Sequence, residues 1–251
     1  MGLDVYDAYM NMAIDESLCT LRSEGRSPNT IRFYRWNPSA VSIGYFQILE
    51  QEVDLQACQT RCVDVIRRMT GGGAVYHSYK GEITYSLIAD QHLPIIPTDI
   101  LRSYAFICGG VVMALKELGI EAEFKPINDI VANGKKISGS AQTRRRNVVV
   151  QHGTILLDTD ITTMFTVLNV SKEKISDKLV KSVEDRVTTI RRELHRDVSF
   201  QEVTDALIES FIRVLGVEFY RGTLSEEELN LAVKLREEKY RTRNWIFKRP
   251  I

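Results

Sequence analysis

The sequence predicts an α+β fold, a mostly antiparallel mixed sheet flanked by helices. Three observations predict it. Short β-rich segments separated by tight turns fill the first two thirds, with Asn133-Gly134 as the strongest hairpin signal. The final third is helical and carries two Ser-x-x-Glu boxes. No Pro/Gly/Ser-rich linker, repeat or low-complexity tract divides the chain, so residues 1–251 are expected to form a single domain.

Residues 7–22 place Ala8, Met12, Ile14, Leu18 and Leu21 on a helical stripe. Residues 31–36 read as a strand stopped by Asn37-Pro38, and 41–45 as the next strand, together a hairpin. A short apolar run, 63–66, leads into Arg67-Arg68-Met69-Thr70-Gly71-Gly72-Gly73, and 83–88 is a β-branched and aromatic strand. Thr98 and Asp99 start a helix with Leu101, Ala105, Cys108, Val112 and Leu115 on one face, ended by Gly119. Residues 129–132, 136–142 and 148–157 are three strands joined by Asn133-Gly134 and by the polar turn 144–147. Ser199-x-x-Glu202 opens a helix with Val203, Leu207, Phe211, Val214 and Leu215, closed by Gly216. Ser225-x-x-Glu228 opens another, running to about Tyr240, with Glu226, Glu227 and Glu228 at its positive end. The basic tail with Trp245 and Phe247 docks either on the body or on a partner.

Composition narrows the function classes. Apolar residues make up 44% and charged residues 26%, which excludes a wholly disordered chain. Lys+Arg and Asp+Glu are both 33, so binding to nucleic acid driven by net charge is not expected. Arg144, Arg145 and Arg146 lack an aromatic stacking set and read as a solvated turn. No run reaches the ~18 apolar residues of a membrane span, and the acidic start is no secretory signal. Four cysteines are too few for a disulfide scaffold, so a cytoplasmic protein is expected. Cys58 and Cys62 suit one helix face, but no second Cys/His pair accompanies them to make a metal site.

Three segments carry chemistry. Residues 67–77 hold a glycine triplet behind two arginines. Consecutive bare N–H groups form an anion-binding concavity and arginines add bidentate donors, whereas the plain alternative is a flexible hairpin with solvated arginines. No Gly-Lys-Ser/Thr follows, so it is not a P-loop. Residues 128–142 offer Asp129 as an oxygen ligand for a divalent metal and Lys136 as a cation for a transferring phosphate, beside a small-residue strand (Ser138, Gly139, Ser140, Ala141) open to a flat ligand; the alternative is a charged turn with both lysines in water. In Gln151-His152-Gly153, His152 reads either as a satisfied structural histidine or as a base.

Taken together, Arg-Arg-Met-Thr-Gly-Gly-Gly-Ala-Val-Tyr-His (67–77), Asn-Asp (128–129), Gly-Lys-Lys-Ile-Ser-Gly-Ser-Ala (134–141) and His-Gly-Thr-Ile-Leu-Leu (152–157) resemble the lipoate–protein ligase family. Weaker similarity lies in 11–16 and 32–47, and the likeness spans most of residues 8–190. The resemblance implies the sheet of biotin ligases and class II aminoacyl-tRNA synthetases. It implies ATP, Mg2+ and lipoate, which give lipoyl-AMP and pyrophosphate. A lysine of a lipoyl carrier domain (a 2-oxoacid dehydrogenase E2 or the glycine cleavage H protein) then takes the acyl group. Lys136 would contact the α-phosphate and the acyl carbonyl. Arg68 and the loop Gly71, Gly72, Gly73, Ala74, Val75 and Tyr76, with His77 at its end, would bind the nucleotide and close over the lipoyl chain. Asn128 and Asp129 would sit by nucleotide or metal, with Asp129 as the metal ligand. Gly139, Ser140 and Ala141 would floor the pocket, and His152 would stand behind it. Lys135 is expected to matter little.

Many bacterial ligases of this family add a C-terminal domain of roughly 80–100 residues. This chain resembles the bipartite members, whose small domain is a separate accessory protein. The sister octanoyl transferases use a cysteine just upstream of the Asn-Asp position. Here residues 121–127 read Glu-Ala-Glu-Phe-Lys-Pro-Ile, which favours an ATP-dependent ligase. The alternatives are an octanoyl or lipoyl transferase fed by acyl carrier protein, and a non-catalytic acyl-adenylate binding module. No membrane or nucleic-acid partner is expected.

Overall fold

The computed structural model describes residues 3–169 and 186–248. A seven-stranded sheet is built from β1 (Leu3–Tyr6), β2 (Thr30–Trp36), β6 (Glu82–Asp90), β10 (Val148–Leu156), β9 (Lys135–Arg145), β8 (Asp129–Ala132) and β7 (Ala122–Lys125), side by side in that order. Within this sheet, among the described residues, only β1 and β2 pair in parallel. A second sheet has β3 (Ala40–Ile43) between β4 (Asp64–Arg67) and β5 (Val75–His77). The β8–β9 and β9–β10 hairpins each turn on two residues with positive φ, Asn133-Gly134 and Arg146-Asn147, as a tight primed turn requires.

Side chains alternate between the two sides apart from a bulge in β9, and each side of the large sheet meets a different layer. Ile83, Tyr85 and Leu87 of β6, Val149 and Ile155 of β10 and Phe33 of β2 pack under α4 (Ile100–Glu117) and α7 (Phe200–Leu215), around Ile107, Val111 and Phe211. A Cβ on Gly110 would meet the Phe211 ring at 2.5 Å, so glycine is what lets these two helices close. The opposite side receives α1 (Ala8–Ser23), capped by Asp7, with Met12, Ile14 and Leu18 against Tyr34, Trp36 and Val150. The small sheet has its own core, Val41, Ile43, Val53 and Tyr76, packed with α2 (Leu49–Glu52), α3 (Leu55–Thr60) and α5 (Ile161–Val167). After α6 (Ile190–Leu194), α7 and α8 (Glu226–Leu235), a π-helical turn Arg236–Tyr240 and α9 (Arg243–Ile246) bring the tail back to the body.

Several expectations change. Residues 31–45 are not a hairpin: β2 and β3 belong to different sheets, because Asn37-Pro38 turns the chain out of the large sheet. Strands β1 and β7 were not expected; each is short and pairs at a sheet edge. The box at Ser199 is half formed. Ser199 caps Glu202 N–H, but the Glu202 carboxylate turns to Arg196 at 2.6 Å, whereas Ser225 and Glu228 form the reciprocal pair. Cys62 lies beyond α3 with positive φ and is exposed, so it shares no helix face with buried Cys58. Arg144 and Arg145 are not simply solvated, since they donate to the carbonyls of Pro97, Thr98 and Met69. The tail docks on the body, with Trp245 Nε1 donating to the Arg67 carbonyl at 2.8 Å. Residues 170–185, inside the span of the resemblance, lie outside the described residues.

Candidate active site

Between the two sheets lies a cavity of about 270 Å3. Its wall takes in every predicted site residue except Gly71 and Asp129, and it adds Met12, Tyr34, Trp36, Ser42, Thr84, Leu156, Met164 and Leu168. One part of the wall is therefore apolar and aromatic, and another carries a cation and bare backbone. A larger cavity of about 670 Å3 lies elsewhere, between residues 26–31, 87–96 and 215–228. Size favours that one, but its lining is mostly apolar and includes none of the predicted site residues.

Lys136 is placed by a β-bulge. Ile130 pairs with Ser138 but Val131 pairs with Lys136, which leaves Ile137 extra. The Lys136 backbone is pinned from outside the hairpin, its N–H to Arg186 O at 2.7 Å and its carbonyl to Thr188 N–H at 2.9 Å. Its ammonium lies 2.6 Å from Asp129 Oδ1, with both side chains partly exposed. A Cβ on Gly139 would stand 2.7 Å from Lys136 Cε and Nζ, so that glycine is the bed on which the lysine lies. Asn128 is clipped to the floor strand, donating to Ser140 O at 2.6 Å and accepting from Ser140 N–H at 2.9 Å. Among the described residues no three His, Cys, Asp or Glu side chains cluster to cage a metal. Asp129, the expected metal ligand, is the one carboxylate beside Lys136 among the described residues and stands just outside the cavity wall.

The glycine loop is gripped from two sides. A Cβ on Gly44 would meet Gly72 O at 2.0 Å, and Gly72 itself has φ +94°. Arg68, almost fully buried, gives Nε–H to Thr70 Oγ1, one Nη to Ser42 O and Oγ, and the other to Gly71 O and Gly73 O. Burial pulls its pKa down to about 10, and no carboxylate pairs with it among the described ion pairs. Arg67 faces the other way. It donates to the carbonyls of Gly44, Tyr45, Gln47, Trp245 and Ile246, and so ties the tail to the loop's base.

The two histidines are internal. His152 Nε2 lies 2.8 Å from Thr70 Oγ1 and Nδ1 lies 3.2 Å from Asp15 Oδ2. Burial holds its pKa below the ordinary histidine value, partly offset by Asp15. His77 joins Ser42 Oγ at 2.8 Å to Glu82 Oε1 at 2.7 Å, and Trp36 stacks on its ring at 4.0 Å. Asp15 also takes Arg32 at 3.0 Å and the Ser86 hydroxyl at 2.7 Å. Sequence reasoning missed Asp15, Ser42, Thr70 and Glu82. The available signal was alternation: Glu82, Thr84 and Ser86 interleave with Ile83, Tyr85 and Leu87, so the first half of one face of this strand is polar before Ile88.

No thiol lines the cavity. Cys19, Cys58 and Cys108 are buried, and burial lifts the first two to about 11. Exposed Cys62 is outside the cavity wall.

The cavity thus brings a cation and a glycine loop against an apolar, aromatic wall between two sheets. The family model described as Lipoyl protein ligase A/B catalytic domain matches residues 7–212. Octanoyltransferase LipM of Brevibacillus brevis is 36% identical over 96% of this chain and 95% of its own. A bipartite lipoate protein ligase of Thermoplasma acidophilum, solved in work on an archaeal lipoylation system with its E2 lipoyl domain, matches with TM-score 0.85 and 33% identity over 100% of this chain and 99% of that one. Lipoate-protein ligase A bound with ATP matches with TM-score 0.82 and 31% identity, over 98% and 99%. The chain belongs to the lipoyl protein ligase A/B catalytic domain family.

Proposed function

We propose that this chain is an ATP-dependent lipoate–protein ligase. The observation that carries the reading is a cavity with Lys136 on its wall and no thiol. In the first step a lipoate carboxylate oxygen attacks the α-phosphorus of ATP and pyrophosphate leaves. In the second, the ε-amine of a carrier-domain lysine attacks the acyl carbonyl, AMP leaves, and the amine loses its proton. Lys136 stabilises charge on phosphoryl and then carbonyl oxygen, and the glycine loop covers the ligand. Asp129 would be the residue to hold a magnesium ion, which would supply charge to the phosphates. The Thermoplasma relative's E2 lipoyl domain supports a lipoyl domain as acceptor, and its bipartite form supports a separate accessory protein. Within this reading, residues 1–251 act as one catalytic domain. No helix among the described residues is long and apolar enough to cross a membrane.

The curated relatives' name, octanoyltransferase, supports a second reading more strongly than the first: octanoyl transfer. In this reading the donor is acyl carrier protein and no ATP is used. With no cavity thiol to form an acyl-enzyme, the acceptor lysine would attack the donor thioester directly. One experiment separates the two. The chain is incubated with α-labelled ATP and lipoate, with and without a candidate accessory protein, and in parallel with octanoyl-acyl carrier protein and a lipoyl domain. Labelled adenylate is the expected product. Acylated domain from the nucleotide-free arm alone would overturn the ligase reading.

A further inference from the structure

Arg68 is a buried cation with no carboxylate paired to it among the described ion pairs, yet two carboxylates reach it, each through an imidazole and a hydroxyl. One arm runs from Asp15 through His152 to Thr70 and on to Arg68 Nε, at 3.2, 2.8 and 3.1 Å. The other runs from Glu82 through His77 to Ser42 and on to an Arg68 Nη, at 2.7, 2.8 and 3.1 Å. Both have the same order, carboxylate, imidazole, hydroxyl, guanidinium. They start on different elements, α1 and β6, and every member is buried.

Donor counting fixes the protons. A guanidinium only donates, so each hydroxyl oxygen accepts from Arg68 and must place its own proton elsewhere. The one acceptor within reach of each is an imidazole Nε2. Each ring then carries its proton on Nδ1, facing its carboxylate. These tautomers follow from the hydrogen-bond network. The result is two one-way chains that hold the Arg68 guanidinium at its Nε and at one Nη. Its remaining N–H groups hold Gly71 O, Gly73 O and Ser42 O.

We infer that Thr70 and Ser42 are positioning residues for acyl transfer: their hydroxyls couple two carboxylate–imidazole pairs to Arg68, which fixes the glycine loop in the shape that receives the acyl group. This rests on the cavity being the acyl site, but not on whether the donor is an adenylate or a thioester.

The test is lipoate and octanoate binding by calorimetry, with steady-state acyl transfer, on the full chain. Thr70→Val is expected to weaken binding and raise KM about tenfold, the scale of one buried hydrogen bond, with kcat within about twofold. Ser42→Ala should act similarly. Thr70→Ser restores the hydroxyl and should restore binding. In an Arg68→Lys background, Thr70→Val should add little, because it acts through the guanidinium. If Thr70→Val does not fold, Ser42→Ala and the Arg68→Lys pairing carry the same test on the other arm. The inference is overturned by an undiminished Thr70→Val effect in the Arg68→Lys background, by failure of Thr70→Ser to restore binding, or by wild-type binding in both single variants. A wild-type chain that binds neither acid overturns the acyl-site reading itself.

Discussion

The two faces of the large sheet are made by the same strands and differ in kind. Under α4 and α7, β6 contributes Ile83, Tyr85 and Leu87 to an apolar core. On the other face the same strand contributes Glu82, Thr84 and Ser86, which join Asp15, Arg32, His77 and His152 in a buried polar layer. Burying apolar area stabilises by about 25 cal/mol per Å2, whereas burying polar groups costs unless each is paired. The first face is therefore held by apolar burial throughout. The second divides its area between the apolar cluster under α1 and this polar layer, which gives up stabilisation to keep fixed dipoles and charges beside the cavity. Mutations on the two faces should fail in different ways.

The largest expected effect is at Lys136. Lys136→Ala should lower acyl transfer by about 10²–10³-fold, the scale for losing one preorganised donor, with the melting temperature unchanged. Full activity in that variant would remove Lys136 from the reaction. On the opposite face, Phe211→Ala should cost about 3–5 kcal/mol in denaturant unfolding and leave KM where it is. A large KM change there would show that the faces are not independent. Gly72→Val should weaken lipoate binding about tenfold or more, since φ +94° is closed to a β-branched residue and its side chain would press on Arg68. Unaltered affinity would mean that the loop does not meet the ligand.

The smallest effect is on pH. The folded state keeps His152 below its ordinary value of 6.5, so the unfolded chain binds the extra proton. The contribution is complete above 6.5 and is lost as pH falls through that value towards the lower folded one. Melting temperatures between about pH 8 and about pH 5 should fall on the acid side, and His152→Gln should flatten that slope. An equal slope in the variant would place the titration elsewhere.

Much of the site was legible in order along the chain. Lys136, the glycine triplet, Asn128 and the Gly139–Ala141 floor all meet at one cavity or its rim. Glycine and Asn-Gly are local signals, because backbone conformation is decided within a few residues. Arg67 and Arg68 read alike in sequence and separate completely in space, one tying the tail, the other the loop. Adjacent residues on an extended strand point to opposite sides, and only the packing says what waits on each. In the second sheet only the strand over 41–45 was legible; its partners were not, since the strands are four residues or fewer and pair across distant sequence.

The sequence by itself determined the α+β class, the helix caps, the hairpin turns and the lysine-bearing strand, all consequences of short-range sterics and hydrogen bonding. Tertiary structure alone decided that Asp15 meets His152 and that Glu82, through His77, meets Ser42. Those contacts close gaps of 137, 5 and 35 residues, and the two relays converge on Arg68 only because the sheets stack face to face. Side-chain partners across such gaps are chosen by packing, which no local pattern encodes.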